Sequence, residues 1–550
     1  MPAPLLVLAL LGGMLQAQDV DRLRPVAPPS PNPVWAIGAA IEDAKPMDHT
    51  VRATTRWIWV RGGDRETLAV LTFVVNEVLN RTNVAVSPLL EPVGPMTVRE
   101  GGRLVRLNLA SLAGNEAELA NLLSTWDKLV LAEPDFSADI PNVTVVEEII
   151  NPDKRIQVNG KWFRGQKVKT KKVEQIRAVS PYVHDQGVAL QQLCGSAAGI
   201  VEARALIKLA TTTLEGGLYY EFRGIPADIT LAGYLRRVGV AEAHAAAFDP
   251  PSKAVSSDTI DKAVVLKSNV TGKERMIVLM PTTGMRPTAG RGLAAITLDA
   301  FDENRDPAAS AVRNLVNLKA DGFELIVTTE NGGREYTLWN AAGKLVRVAP
   351  PNLVSDDDIP RPHTKNLQPG LSCIRCHGPE DGWKGFVNAV PVIQESGINV
   401  LIDEAGVPAS TLHGMYEGDW FGILGPFTQS RAQYADSLLK STGWIPQQEN
   451  SSTAIEVTGL YAKIYAEYVY QELGALEVCQ ELGLNATTKE EAVAVLRGLQ
   501  QLPVAGAVKQ DEPVLRALIA GLTVGRRTLD SVKGNLYYRV HIEQRGGLDP

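Results

Sequence analysis

Cys373, Cys376 and His377 are the residues of this chain whose types and spacing prescribe a particular chemistry. They lie in the stretch GLSCIRCHGP, residues 370–379, and form a Cys-x-x-Cys-His pattern. Two thiols three residues apart share one turn of a helix. From there they can form thioethers to the two vinyl groups of one porphyrin, and the histidine that follows directs its imidazole under the ring as an iron ligand. A structural zinc site would call for four Cys or His ligands, and the two other cysteines, Cys194 and Cys479, are isolated in the sequence. A redox dithiol needs no histidine after its second cysteine. The pattern predicts one covalent haem c, with thioethers at Cys373 and Cys376 and His377 as proximal ligand.

The far side of the iron decides between carrying electrons and binding small molecules. Met415 follows His377 by 38 residues, in the glycine-bounded LHGMY at 412–416. It is the leading distal candidate, because that separation lets the chain pass around the haem edge and return over the other face. His363, 14 residues before His377, is second and His413 third. An open site is the fourth possibility. Trp383, Phe386, Val387 and Val390 follow the signature with the apolar character that would wall a porphyrin from water.

A haem needs only a small helical domain, so most of the 550 residues serve something else. Residues 1–18 carry no charge and hold an 11-residue apolar run at 5–15, too short to span a bilayer. They read as a secretory signal cleaved near Ala17, with a buried N-terminal helix as the alternative. Residues 19–52 read as a proline-rich linker and lead-in. An α/β domain is expected over 53–150: a strand at 57–60, a helix over 65–80 begun by Asp64, an alternating strand at 105–109 and a helix over 116–130. No nucleotide loop or nucleophile elbow occurs in it.

Residues 154–177 hold nine Lys or Arg against the single acid Glu174, a net +8 within a chain of formal charge −7. This basic insertion, 151–180, reads as a solvated hairpin rather than a polyanion site. No nucleic-acid motif accompanies it. A helical segment, 181–250, is followed by a β-rich domain, 260–350. Its short apolar runs at 263–266, 276–280 and 292–298, and the Asn331-Gly332-Gly333 turn between runs at 323–330 and 334–339, predict an antiparallel meander. The meander delivers the chain to the haem c segment, 351–445. A helical C-terminal domain, 450–550, closes the chain, with an amphipathic helix through Ile464 and Tyr468, capping boxes at 487–491, and Pro513 near the start of a further helix. The expected fold class is α+β multidomain: N-terminal α/β unit, helical segment, antiparallel β-meander, small helical cytochrome-c-like haem domain and C-terminal helical bundle. No stretch reaches the length of a membrane span.

Five stretches carry a family likeness. The lead into the signature, LWNAAGKLVRVAPP at 338–351 and RPHTKNLQPGLSCIRCHGP at 361–379, resembles the secreted mono-haem c-type cytochrome-like proteins of planctomycete bacteria. TFVVNEVLNRTNV at 72–84 with LVRLNLASL at 104–112, and GGLYYEFRGIP at 216–226, are similar to segments of the same family. The resemblance implies extracytoplasmic haem binding and electron transfer with an unidentified redox partner, and it names no substrate. Cys373, Cys376 and His377 carry over directly; the basic insertion has no counterpart in that pattern. The competing classes are a haem peroxidase-like enzyme with an open distal site and a haem-containing sensor or interaction protein. With a single Cys-x-x-Cys-His, wiring through several haems within this chain is excluded.

The leader makes a direct prediction. N-terminal sequencing of the native product should begin just after Ala17, in material found outside the cytoplasm; a product beginning at Met1 contradicts it.

Overall fold

The computed structural model describes residues 33–132 apart from 61–62, 64 and 87–94, strand segments between 140 and 176, and 185–249 apart from 197 and 215. It further describes the strands at 263–267, 274–282 and 292–299, then 320–349, 367–377 and most of 464–539. The leader, the distal candidates His363, His413 and Met415, the apolar set Trp383, Phe386, Val387 and Val390, and the side chain of Cys376 lie outside the described residues.

The protein is a mixed α/β structure of several helices and mainly antiparallel sheets. The first strands are β1 (Thr55–Trp59), β2 (Met96–Arg99) and β3 (Leu104–Asn108). Two antiparallel pairs follow, β4 (Ile140–Ile149) with β7 (Val168–Ile176), enclosing β5 (Arg155–Val158) with β6 (Lys161–Arg164). The expected hairpin character of the basic insertion is present in this backbone pairing. β8 (Ile200–Glu202) then runs parallel to β1 and completes a sheet of order β2-β3-β1-β8.

β9 (Ala263–Lys267), β10 (Glu274–Thr282), β11 (Gly292–Asp299), β12 (Gly322–Thr328), β13 (Arg334–Asn340) and the two-residue β14 (Leu345–Val346) pair in sequence as an antiparallel meander, as expected. The short pair β15 (Glu472–Leu473) and β16 (Val524–Gly525) lies near the chain's end. Among the described residues no helix is long and apolar enough to cross a membrane.

Within the lead-in, Pro33–Ala44 and His49–Thr54 are helices, the first with proline at a helix start, where its missing N–H costs nothing. The described part of 181–250 is mostly helical. β8 interrupts it, three residues too short to show a strand period between Ala-rich helices.

The described residues group into two compact units. One combines Met47–Leu129 with Ile200–Tyr468; the other combines Ser30–Pro46, Val130–Gly199 and Val469–Pro550. In the second, Thr488 and Glu491 form the expected capping box of helix Lys489–Gln501, and Pro513 stands in the first turn of Glu512–Ile519. Val478, Cys479, Leu482, Leu496, Leu515 and Leu518 fill its core. The Arg539–Asp511 pair is fully buried there, and Arg539 also donates to the carbonyls of Leu499 and Leu502 that end a helix, at 2.9 and 3.0 Å. Cys194 and Cys479 are both buried, and neither is in a disulfide.

The first unit is knit by a buried polar network. Helix Arg65–Val74 runs into a π-helical turn, Val75–Leu79, in which all five residues are buried, Asn76 and Glu77 included. Asn331, in the turn joining β12 and β13, donates to the Asn76 carbonyl at 2.7 Å. Arg223, just after helix Tyr219–Phe222, donates to the Glu77 carbonyl at 3.1 Å and pairs with Glu335 of β13; both side chains are 1% exposed. The other oxygen of Glu335 accepts from the Tyr234 hydroxyl. Burial alone would raise the Glu335 carboxyl, but Arg223, with Arg237 and Arg81 behind it, outweighs burial and holds it below the ordinary carboxylate range.

Removing one partner of such a pair leaves the other charged and buried. Arg223→Ala should therefore cost about 3–5 kcal/mol in denaturant unfolding. The Glu335 contribution is fully present above its unfolded pKa of about 4.3 and is lost as pH falls toward its lower folded value. The wild type should lose stability over that acid window more steeply than Arg223→Ala.

Candidate functional site

The Cys-x-x-Cys-His stretch forms a helix, Leu371–His377, and the reasons are local. Gly370 takes φ +81°, and a Cβ there would stand 2.4 Å from the Thr211 carbonyl oxygen, so only glycine allows this approach. The Leu371 N–H donates to that same carbonyl at 2.6 Å, which satisfies one of the helix's open donors. The Gln368 side-chain oxygen accepts from the backbone N–H groups of Thr213 and Leu214 at 3.1 and 3.3 Å, and the Ser372 hydroxyl accepts from Gln368 N–H at 3.1 Å. The loop after helix Ala203–Ala210 therefore clamps the entry to the signature helix.

Cys373 and His377 are four apart and share one face of this helix. Cys373 is 1% exposed, and the His377 side chain is 27% exposed. That face meets β12 and β13. Register places Glu324 opposite Leu338, Ile326 opposite Tyr336 and Thr328 opposite Arg334, so these six share one face of the sheet. Arg334 donates to the His377 carbonyl at 2.6 Å. The Tyr336 ring lies nearly parallel to the imidazole, 22° between planes and 6.4 Å between centroids. The Glu324 Oε1 is 3.6 Å from His377 Nε2 and 3.7 Å from Cys373 Sγ.

β13 is held to this duty along its length. β14 covers it only at Leu338 and Trp339. Farther along, the Tyr219 hydroxyl accepts from the Tyr336 N–H at 2.9 Å. The Tyr220 hydroxyl accepts from the Leu338 N–H at 3.1 Å and donates to the Val346 carbonyl at 2.8 Å. Burial raises both phenols well above the ordinary range, so they remain protonated and able to donate. Two consecutive tyrosines thus cap an edge that would otherwise leave backbone donors buried without acceptors.

Of the residues singled out by sequence, the structure brings Cys373 and His377 together with a polar patch of the meander, and it places the Cys376 position on the same helix. Sequence reasoning missed Glu324, Arg334 and Tyr336. The available signal was alternation in the two strands, which puts a Glu, an Arg and a Tyr on a face that otherwise carries Ile, Thr and Leu. Within 351–445, the described helix meets β12 and β13, and the rest of the expected haem segment after His377 lies outside the described residues.

The donor set fits a covalent porphyrin by type: two cysteine positions and an imidazole on one helix, with an aromatic ring beside the imidazole and a guanidinium on the histidine's carbonyl. Alkylation of Cys373 would end the S–H contact to Glu324. Among the described residues no group of three or more His, Cys, Asp and Glu is arranged to hold a metal ion, and the Cys376 side chain is not among them.

Gly370→Ala tests the clamp. The left-handed backbone costs about 1–2 kcal/mol for a residue with a Cβ, and the overlap with Thr211 adds about 1–3 kcal/mol. Thermal unfolding should shift down accordingly; an unchanged melting temperature would show that the helix entry is not held this way.

Set against protein-family models, curated proteins and solved structures, the chain matches none of them.

Proposed function

We propose that this chain is an extracytoplasmic mono-haem c-type cytochrome that passes single electrons between redox partners, related to the planctomycete proteins that it resembles. The observation that carries the reading is the signature helix itself. Cys373 and His377 share its face, and that face is fastened to a buried sheet by Arg334 and Tyr336 rather than left on a loose loop. Haem c, when bound, supplies reversible one-electron chemistry at iron.

The chain's own residues have separable duties. Each thiol, Cys373 and Cys376, adds across one vinyl C=C, sulfur to one carbon and hydrogen to the other, so attachment consumes no electrons. His377 offers a ring nitrogen lone pair to the iron. Arg334 fixes the His377 carbonyl, and with it the backbone that carries the imidazole. Tyr336 limits rotation of the ring. Burial of Leu371, Cys373 and Ile374 keeps water from this side, and low polarity around a haem raises its potential. Attachment of haem to this motif takes place outside the bacterial cytoplasmic membrane, which agrees with the leader. Met415 is the proposed distal ligand, ahead of His363 and His413. A thioether favours ferrous iron and suits a carrier.

Absorption spectra of the purified mature protein in both oxidation states, with and without carbon monoxide, test this. The expected result is a six-coordinate low-spin haem that does not take up carbon monoxide, and Met415→Ala should convert it to high spin. A wild-type haem already high spin and open to carbon monoxide would replace the carrier with a peroxidase-like enzyme or a gas-binding sensor. If Met415→Ala leaves the spectrum unchanged while His363→Ala disrupts it, the ligand is His363.

A further inference from the structure

The basic insertion reads from sequence as a solvated hairpin, and its charge alone names no partner. Its strand register sorts the residues in a way that a charge count does not show. β5 and β6 pair within the connection between β4 and β7, and no further described strand joins either pair. Asn159-Gly160 alone separates β5 from β6, the dipeptide favoured for a two-residue hairpin connection. Arg155 stands opposite Arg164 and Gln157 opposite Trp162, so these four share one face. Ile156 opposite Phe163 and Val158 opposite Lys161 make up the other. One face of the hairpin is cationic and aromatic; the other is largely apolar.

Like charges directly opposite each other in a strand pair are destabilising. The Arg155–Arg164 register therefore favours an anion between the two, and the guanidinium fork matches phosphate geometry. β7 adds Lys169, Lys171 and Lys172, and residues 154–177 carry a net +8 within a chain of −7. Nucleic acid would use the cations but has no place for a face of Ile156, Val158 and Phe163. An anionic bilayer uses both faces. An amphipathic segment in the interface plane sets its apolar face at the acyl boundary and its cations among the headgroups. Tryptophan is enriched at that same level. We propose that the β5–β6 hairpin docks this protein on anionic phospholipid surfaces. Arg155 and Arg164 take headgroup phosphates, and Ile156, Val158 and Phe163 take the acyl boundary. Such attachment is reversible and is weakened by salt. The inference is independent of the haem reading.

The experiment uses the full-length mature protein and two kinds of vesicle, phosphatidylcholine alone and phosphatidylcholine with phosphatidylglycerol at about two to one. Co-sedimentation measures binding at low salt and at ~1 M, where screening leaves exposed charges little reach. Binding is expected to the mixed vesicles alone, and to be lost at the higher salt. Arg155→Glu with Arg164→Glu should weaken it about tenfold or more, whereas Arg155→Lys with Arg164→Lys should keep most of it. Phe163→Ser, which leaves the charge unchanged, should also weaken it about tenfold. Equal binding to both kinds of vesicle, or to neither, overturns the proposal. So does wild-type binding by the double Glu variant or by Phe163→Ser. A protein that binds DNA or polyglutamate but not vesicles docks a different polyanion, and this too overturns it. Should a variant fail to fold, trypsin digestion of the wild type decides. Mixed vesicles should protect the cleavage sites between 154 and 177 and neutral vesicles should not; equal cleavage with both overturns the proposal. Every one of these outcomes leaves the cytochrome reading as it stands.

Discussion

The ion pair between Arg223 and Glu335 is the constraint on which the site depends. A glutamate and an arginine, each almost wholly removed from water, are tolerable only when each satisfies the other. Here the carboxylate also takes the Tyr234 hydroxyl, and the guanidinium reaches the Glu77 carbonyl. These bonds pin the start of β13 from one side. Because side chains alternate along a strand, pinning Glu335 fixes its neighbours Arg334 and Tyr336 on the other side, and those two hold His377. A shift of β13 by one residue would exchange the two faces, placing Glu335 beside the signature helix and sending Arg334 toward Tyr234. The buried pair is therefore a register lock as well as a tether.

The same arrangement explains why the first sheet and the meander belong to one compact unit. The π-helical turn at Val75–Leu79 packs against the β12–β13 turn, and Asn331 and Arg223 both bond to its backbone carbonyls. Asn76 and Glu77 stand in the last turn of the helix, whose carbonyls have no partner within it, and donors from outside can then use them. Gly333 is part of this fit: a Cβ there would stand 2.8 Å from the Glu77 carboxylate. The helix that carries the signature is only seven residues long and would be unstable alone. Its persistence comes from the clamp at Thr211–Leu214 on one end and from Arg334 on the other. On the proposed reading such anchoring would serve electron transfer, because small displacement of a ligand on a change of oxidation state means a small barrier.

Much of this was legible before the structure, in a particular way. Alternation and the Asn-Gly-Gly turn located the meander, helical spacing located the helices of 65–80 and 116–130, and capping rules located Thr488. The Cys-x-x-Cys-His pattern located the residues on which the proposed chemistry rests. β8 escaped because three residues carry no period, and helix Pro33–Ala44 because prolines before it masked a helix start. The supporting residues of the site escaped for another reason. Glu324, Arg334 and Tyr336 lie some forty to fifty residues before the signature and are ordinary strand residues until the sheet sets them beside it. The segments that carry the family resemblance did contain the answer in unread form. TFVVNEVLNRTNV holds Asn76 and Glu77, and GGLYYEFRGIP holds Tyr219, Tyr220 and Arg223, all of which support β13. Nothing in their composition said that they would meet.

The central claim is that a sheet-anchored helix carries a haem bonded to Cys373 and Cys376. The most direct measurement is acid-acetone extraction of the natively exported protein, followed by a denaturing gel stained for haem and an intact mass. The account predicts that haem stays with the polypeptide, that the mass exceeds that of the processed chain by one haem, and that replacing both cysteines with alanine abolishes both signals. Haem that leaves with the solvent, or a chain at its bare polypeptide mass, would contradict it.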